Sequence, residues 1–487
     1  MKHPNPVRGN PDQPTVEKKA RQHHVTKDRD RVPFIQKLSI GIGEMPSFGR
    51  QGIENLALPI YNIVLGVNPL LVTIVMSLTR LLDAITDPIA GSISDNTRSR
   101  WGRRKPYLFV SIFLCGLLFP LIWLVPEGWS EMAYFYYFLA TALLFYTAYS
   151  FYNVPLMALA LEVTPDYHER TRVIAFKNVF VQLMTIFSVW LFAFTQLDNF
   201  ENTMQGARCS GLLIGGIVLL SGIIPIVFVR EGFREVALKK KGLPFFAGVR
   251  ETLTTKPFLI ICLVALFTGL PGVLSQTMGL YVMIYYVFDG NLKEAAILNG
   301  VAGTVQQVTT ILAIPFAAWL SVRIGKVHAL KLCLGFVFLG EISKWFFYSP
   351  DFPYLAIGTA VLLGPGSTAL YTLVGSMIAD VCDYDELKTG RRREGMYGSI
   401  YSWISKAIGS IATVLTGIIL VIVGFDAAKT GHQDPESITY MRVSFSLIPT
   451  IGVIFAFFVL KLYDLNEDRA YEIRQELENR RGSDYVE

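Results

Sequence analysis

Two carboxylates lie four residues apart inside an apolar stretch of this sequence. Asp83 and Asp87 belong to a run that begins near Pro69 and is long enough for a membrane-spanning helix. A spacing of four places both carboxylates on one face of that helix. A charge at membrane depth costs free energy, so a carboxylate there needs a cation or a proton. We expect Asp83, Asp87, Thr86 and a hydroxyl group of a neighbouring helix to bind a monovalent cation.

Arg80 lies one turn before this pair and offers a structural alternative. In that interpretation the guanidinium neutralises an aspartate, and the charged stripe only holds helices together. One arginine cannot neutralise two carboxylates, and an unpaired intramembrane carboxylate needs a partner. The cation site is therefore the favoured interpretation.

The segment that follows the pair is strongly basic. Asp95 stands near a helix end and is followed closely by four arginines, Arg98, Arg100, Arg103 and Arg104. We expect these charges to form pairs that close the two halves of the protein on the cytoplasmic side and break in the other state. The alternative is that the positive charge only sets the topology. The predicted gate consists of Asp95, Arg98, Arg103, Arg104, Asp380 and Asp383.

Other apolar runs carry side chains that suit a sugar-sized polyol. Tyr149 and Asn153 share a helix face, and Lys406 lies in the middle of a later run. Aromatic faces with fixed polar groups are typical of such sites, although tyrosine and tryptophan also form packing contacts and interfacial belts. The predicted substrate-binding residues are Arg50, Gln51, Tyr149, Asn153, Lys177, Tyr371, Trp403 and Lys406.

Two further charge pairs have helical spacing. Arg50 and Glu54 lie four residues apart in the most polar of the runs, so they can neutralise each other, and that run should line a cavity. Glu341 and Lys344 lie three residues apart and are expected to form a structural pair.

The composition indicates a polytopic membrane protein. The chain has 487 residues, of which 52% are hydrophobic and 17% charged; soluble chains carry roughly 25% charged residues. The five cysteines are scattered and are expected to be buried hydrophobes. We find no histidine cluster, nucleophile triad or phosphate-binding loop, which argues against an enzyme and against an ATP-driven pump. The polar first 33 residues predict no cleavable signal peptide.

The elements that must position these residues are twelve apolar runs. They predict an all-α membrane protein with twelve transmembrane helices in two six-helix halves. Lys and Arg are concentrated in alternate loops, which places both termini in the cytoplasm of a plasma-membrane protein. The expected segments are a cytoplasmic tail (1–34), an N-terminal bundle (35–230), a cytoplasmic middle loop (231–257), a C-terminal bundle (258–464) and a second cytoplasmic tail (465–487).

Two pairs of similar segments within the sequence support the division into halves. Met157–Tyr167 resembles Met377–Tyr384, and both lie at the cytoplasmic end of the fourth span of a half. In a second pair, Asp87–Ser94 aligns with Ile314–Ser321. Parallel repeats of this kind predict a two-fold axis along the membrane normal. Since Asp87 matches an isoleucine, the carboxylate pair exists only in the first half.

The motif Asp83-x-x-x-Asp87-Pro88, followed by the segment 95–106, resembles the glycoside–pentoside–hexuronide:cation symporter family, typified by melibiose permease. Ala379-Asp380-x-x-Asp383-Tyr384 and Lys406 extend the similarity, which covers about residues 38–465. The resemblance implies the major facilitator fold with alternating access, a cation site at Asp83 and Asp87, and Ser150 as a ligating hydroxyl. It also implies that Tyr149 and Lys406 line the site, and it places Tyr371 where the permease has a tryptophan.

Some positions depart from the family pattern. Asn153 stands in place of the galactoside-binding aspartate, Met157 in place of a tryptophan, and Asn178 in place of an arginine. The resemblance therefore implies the cation machinery without the galactoside-specific contacts. Arg50, Lys177 and Lys406 would suit a carboxylate-bearing substrate, unless the nearby glutamates cancel their charge.

The sequence thus predicts a secondary symporter that couples Na⁺ or H⁺ to a sugar, glycoside or uronate. A first alternative is a transporter of the same fold for an amphipathic lipid or drug-like solute, and a second is a non-transporting membrane sensor. The expected partners are a small solute, a monovalent cation and the lipid bilayer, without nucleic acid. We expect a monomer that needs no cofactor.

Overall fold

The protein is helical throughout the residues that its computed structural model describes, namely 31–164, 166–229, 250–391, 393–426, 429 and 432–483. Most of the predicted N-terminal tail and middle loop lies outside these ranges. The helices of the first half are α1 (Phe34–Ile42), α2 (Ser47–Ala57), α3 (Pro69–Asn96), α4 (Lys105–Trp123), α5 (Glu131–Glu162), α6 (Tyr167–Ser188), α7 (Leu191–Thr195) and α8 (Thr203–Phe228). Those of the second half are α9 (Lys256–Val282), α10 (Leu292–Ile324), α11 (Lys326–Phe347), α12 (Ala356–Thr389), α13 (Glu394–Ile422) and α14 (Pro435–Leu460). A last helix, α15 (Glu467–Ser483), follows.

Local sequence signals set several helix ends. The Asn68 side chain accepts a hydrogen bond from the Leu70 amide, and Pro69 occupies the first position of α3. Asp166 caps α6 in the same way through the Glu169 amide, at 2.8 Å. Gly390 ends α12 with a φ of 67°, a conformation that glycine adopts without strain.

The first predicted span is not one continuous helix. A turn at 43–46 separates α1 from α2, where Pro46 directly precedes Ser47. The span then ends in a π-helical segment, Leu58–Val64, and the corresponding span of the second half also ends in one, Met283–Val287. Such segments are rare and often occur near functional sites.

Within the described residues, nine helices are long and apolar enough to cross a membrane. The other three predicted spans are α1 with α2, α6, and α11. The first is divided by its turn, and α6 and α11 carry charged residues along their length, among them Lys177 and Glu341.

Successive spans run in opposite directions, which gives the protein two ends. We call the end that carries the connections 97–104, 390–393 and 461–466 the tail side, and the opposite end, with 65–68 and 288–291, the far side. One apolar core joins the first half to the far-side ends of α9, α13 and α14. A second core joins the tail-side part of the second half to α15. The two halves are therefore packed together on the far side.

Candidate cation and substrate site

Asp83 faces α5 in the middle of the first half. The Ser150 hydroxyl donates to Asp83 Oδ1 at 3.3 Å, and Thr86 Oγ1 lies 2.9 Å from Ser150 Oγ. Thr86 and Ser150 are both buried. The structure thus brings together three of the four residues predicted to bind a cation, as oxygen atoms from two adjacent helices. Carboxylate and hydroxyl oxygens are suitable ligands for a hard cation.

Asp87, the fourth predicted residue, is held by the second half. Lys406 of α13 donates to Asp87 Oδ2 at 2.7 Å, and both side chains are partly exposed. The two acids of the motif therefore differ: Asp87 has an ammonium partner, whereas Asp83 accepts a hydrogen bond from Ser150 and has no ion pair among the described residues.

Arg80 has a different partner from the one considered in the structural alternative. It pairs with Glu54 of α2 at 3.3 Å, and Glu54 also pairs with Arg50 at 2.7 Å. Arg80 Nη1 crosses to α13, where it donates to the Gly409 carbonyl at 3.0 Å and to Thr413 Oγ1 at 3.2 Å. The carboxylate that Arg80 contacts is therefore Glu54 and neither aspartate of the pair, while its contacts with α13 agree with the part of the structural alternative in which the stripe holds helices together.

Lys177 of α6 pairs with the buried Glu44, at 3.3 Å. Its ammonium also donates to the sulfur of Met157, at 3.3 Å. Glu44 lies in the turn between α1 and α2, so the break in the first span places a carboxylate against α6.

The first span also carries buried polar groups with no hydrogen-bond partner in the described structure. They are the Ser47 hydroxyl, the Gln51 side-chain oxygen and Glu44 Oε1, of which the last still forms the ion pair with Lys177. Tyr149 is buried, and Asn153 is half-buried in α5. Trp403 is 62% exposed on α13. Tyr371 lies in α12, but its side chain is outside the described part of the structure.

The predicted gate residues lie on the tail side, in pairs within one half. Arg104 contacts Asp95 at 3.0 Å and Glu162 at 2.8 Å, and Arg103 also contacts Glu162. In the second half Asp380 pairs with Lys326 at 2.6 Å. Arg98 is exposed and Asp383 is half-buried. The contacts between gate residues that the structure shows do not join the two halves, so their role in closure stays a prediction.

Several partners were missed from the sequence. Gly409 and Thr413 follow Lys406 by three and seven residues, a helical spacing that indicated a shared face. Glu162 and Lys326, in contrast, lie at helix ends among other charges, and no spacing singles them out. Arg393 joins Asp385 and Glu251 at 2.6 and 2.5 Å.

These features define a polytopic membrane transporter with a charged site between two halves. A family model described as MFS/sugar transport protein matches residues 48–467. The chain belongs to that family, which confirms the predicted resemblance and makes it a transporter and not an enzyme.

Two relatives illustrate the range of the family. A glucuronide carrier protein homolog of Escherichia coli (strain K12) is 25% identical over 430 residues, which cover 86% of this chain and 90% of the relative. The sodium-dependent lysophosphatidylcholine symporter 1 of Mus musculus is 23% identical over 492 residues, which cover 93% of this chain and 89% of that protein.

The fold also resembles that of solved transporters. A bacterial homolog of the human lysosomal transporter Spinster, in an inward-facing and unoccupied conformation, gives a TM-score of 0.66 at 15% identity. The similarity covers 90% of this chain and 98% of that one. At this level of identity the likeness shows the fold alone.

Proposed function

We propose that this protein is a secondary symporter that couples Na⁺ or H⁺ to the uptake of a sugar, glycoside or uronate. The observation that carries the proposal is Asp83, a carboxylate at membrane depth that accepts a hydrogen bond from Ser150 and has no ion-pair partner among the described residues. The Ser150 hydroxyl in turn contacts that of Thr86. A carboxylate in that position is stabilised by a bound cation or proton. The family and the symporter relative support the same class of function.

We further propose twelve spans with both termini in the cytoplasm of the plasma membrane. In that orientation the tail side is cytoplasmic, and the contact on the far side corresponds to an inward-facing conformation. Cation binding at Asp83, with Asp87, Thr86 and Ser150 nearby, would raise the affinity for substrate in the cavity between the halves. The reciprocal coupling is expected to be about 1–3 kcal/mol.

The test is uptake into proteoliposomes with and without an inward Na⁺ or H⁺ gradient. We expect Asp83→Asn and Asp87→Asn to abolish cation stimulation, because an amide supplies no negative charge to the site. Asp468→Asn, in the exposed first turn of α15, is the matched control and should leave stimulation unchanged.

Unchanged stimulation in both site variants would contradict the cation site. Cation-driven uptake of a lysophospholipid in place of any sugar would favour the lipid alternative. Ligand-dependent binding of a cytoplasmic partner without uptake would favour a sensor.

A further inference from the structure

We infer that the substrate of this symporter carries one negative charge and that Arg50 binds it. The inference rests on the proposed function and specifies its substrate class. It follows from the charges at membrane depth and from the partners that the fold gives them.

The central charges are balanced in number. Four carboxylates and four cations lie inside the first half or at its contact with α13, namely Glu44, Glu54, Asp83, Asp87, Arg50, Arg80, Lys177 and Lys406. In α9, α10 and α12 the charged residues lie near the helix ends. Glu341 and Lys344 form a separate buried pair in the second half and do not change the sum. The central group is therefore neutral when all eight residues are ionised.

The balance is uneven in space. Lys406 pairs with Asp87 and Lys177 with Glu44, one to one. Arg50 and Arg80 share Glu54, which leaves one positive charge in excess. Asp83 has no Lys or Arg within ion-pair distance among the described residues. Its negative charge lies one turn after Arg80 on α3 and balances the excess positive charge of Arg50 and Arg80.

A coupling cation at Asp83 removes this offset. The loaded site would then carry one net positive charge, which is costly in the low dielectric of a membrane protein. A monoanionic substrate restores neutrality, so that both the empty and the fully loaded carrier are neutral in the centre. A neutral glycoside would leave the loaded carrier charged.

Arg50 is the cation best placed to bind that anion. Arg80 uses both of its terminal nitrogens, on Glu54, Gly409 and Thr413. Arg50 uses one terminal nitrogen, on Glu54, and its other N–H groups have no partner in the described structure. Its side chain is 35% exposed, against 24% for Arg80. A guanidinium with free N–H groups binds a carboxylate through two parallel hydrogen bonds.

The neighbours of Arg50 on α2 suit the rest of a sugar acid. Ser47 and Gln51 lie within one turn of it, and their buried oxygens have no hydrogen-bond partner among the described residues. A buried polar group without a partner costs free energy, and sugar hydroxyls would satisfy both. The combination points to a hexuronide-type glycoside with its carboxylate on Arg50.

The experiment compares two probes that differ only at one carbon, methyl β-glucuronide and methyl β-glucoside, together with the corresponding galacto pair. Uptake into proteoliposomes is measured under Na⁺ and H⁺ gradients. We expect the uronide to be taken up at least about tenfold more efficiently, which corresponds to about 1.4 kcal/mol. If one cation accompanies each uronide, uptake moves no net charge. Recordings on a solid-supported membrane should then show no transport current.

Variants of Arg50 test whether this residue causes the preference for the uronide over the glucoside. Arg50→Gln should remove the preference for the uronide, and Arg50→Lys should retain part of it, while Arg80 still pairs with Glu54 in both. The thermal midpoint of each purified variant shows that it is folded.

Cation-driven uptake of the glucoside or galactoside at an equal or higher rate would overturn the inference and leave the proposed function standing. The absence of cation-driven uptake for all four probes would count against both. An undiminished preference in a folded Arg50→Gln protein would overturn the role of Arg50.

Discussion

The charged residues at membrane depth show how the fold assigns partners. Each of the four central cations has a carboxylate within 3.3 Å, and two of them share one carboxylate. The carboxylate left over is Asp83, which accepts a hydrogen bond from the Ser150 hydroxyl. A carboxylate without an ion-pair partner in the protein is the one most able to exchange a cation with the solution, which is why we propose the cation site at Asp83.

Glu341 and Lys344 differ from Asp83, because each has an ion-pair partner and is buried. Both side chains are buried, and the Lys344 ammonium also donates to Ser275 and lies 4.6 Å from the centre of the Phe445 ring. The predicted structural pair is confirmed, and it links α11 to α9 and α14.

We expect Lys344→Met to lower the thermal midpoint of the purified protein strongly, because it leaves a buried carboxylate without its partner. Breaking such a pair costs about 3–5 kcal/mol. The double variant with Glu341→Gln removes both charges and should recover most of the loss. Lys461→Met, exposed at the end of α14, is the control for losing a lysine. A single variant as stable as that control would contradict the structural role.

At the scale of helices, α3 and α13 form the main contact between the halves. They run antiparallel, so that Thr73 meets Gly417, Arg80 meets Thr413, and Asp87 meets Lys406 along one line. A cation that binds at Asp83 and Asp87 would therefore act directly on this contact. The contact depends on close approach of the two backbones near Gly417.

We expect Gly417→Ala to separate α3 from α13. A Cβ atom there would lie 2.9 Å from the Leu70 Cα and 3.1 Å from the Pro69 carbonyl oxygen, and these backbone atoms cannot rotate away. Overpacking costs about 1–3 kcal/mol, so the far-side-closed conformation should lose roughly 5- to 150-fold in population. The measurement is far-side accessibility of a reporter cysteine to a polar thiol reagent.

Gly398→Ala, on the same helix, is the matched control, because a Cβ atom at this position would have no atom of another helix in the described structure within 4 Å. Equal accessibility in the two variants would show that the α3–α13 contact does not hold the far side closed.

At the scale of the whole molecule, the far side is held by contacts between elements distant in the chain. The Tyr281 hydroxyl donates to Asn62 at 2.7 Å, which joins α9 to the π-helical segment that ends the first span. The Trp190 indole donates to Thr304 at 2.8 Å, and Lys293 pairs with Asp198 at 2.6 Å. These contacts must break if the protein opens on the far side.

We expect a reducible bis-thiosulfonate cross-link between Asp198→Cys and Lys293→Cys to stop uptake, because it prevents far-side opening. Reduction of the link should restore transport, and each single variant with the same reagent controls for modification of native cysteines. Uptake that continues in fully cross-linked protein would show that transport does not require these two residues to separate.

The sequence by itself determined the elements and the local pairs. Hydropathy is a property of each segment, so the helices lie close to the predicted runs, and proximity along a helix made the Arg50–Glu54 and Glu341–Lys344 pairs readable from spacing alone. The sequence predicted the first span as one run, although Pro46 is a local signal for a helix boundary. The structure divides that span by a turn at 43–46, where Glu44 pairs with Lys177 of α6.

Only the tertiary structure decided which partner each central charge receives. Lys406 and Asp87 are 319 residues apart, and Arg80 reaches Gly409 across 329 residues. No periodicity links such positions, because their contact depends on how two helix bundles pack. The sequence placed two acids on one face of α3, and packing then neutralised Asp87 and left Asp83 with hydroxyl neighbours.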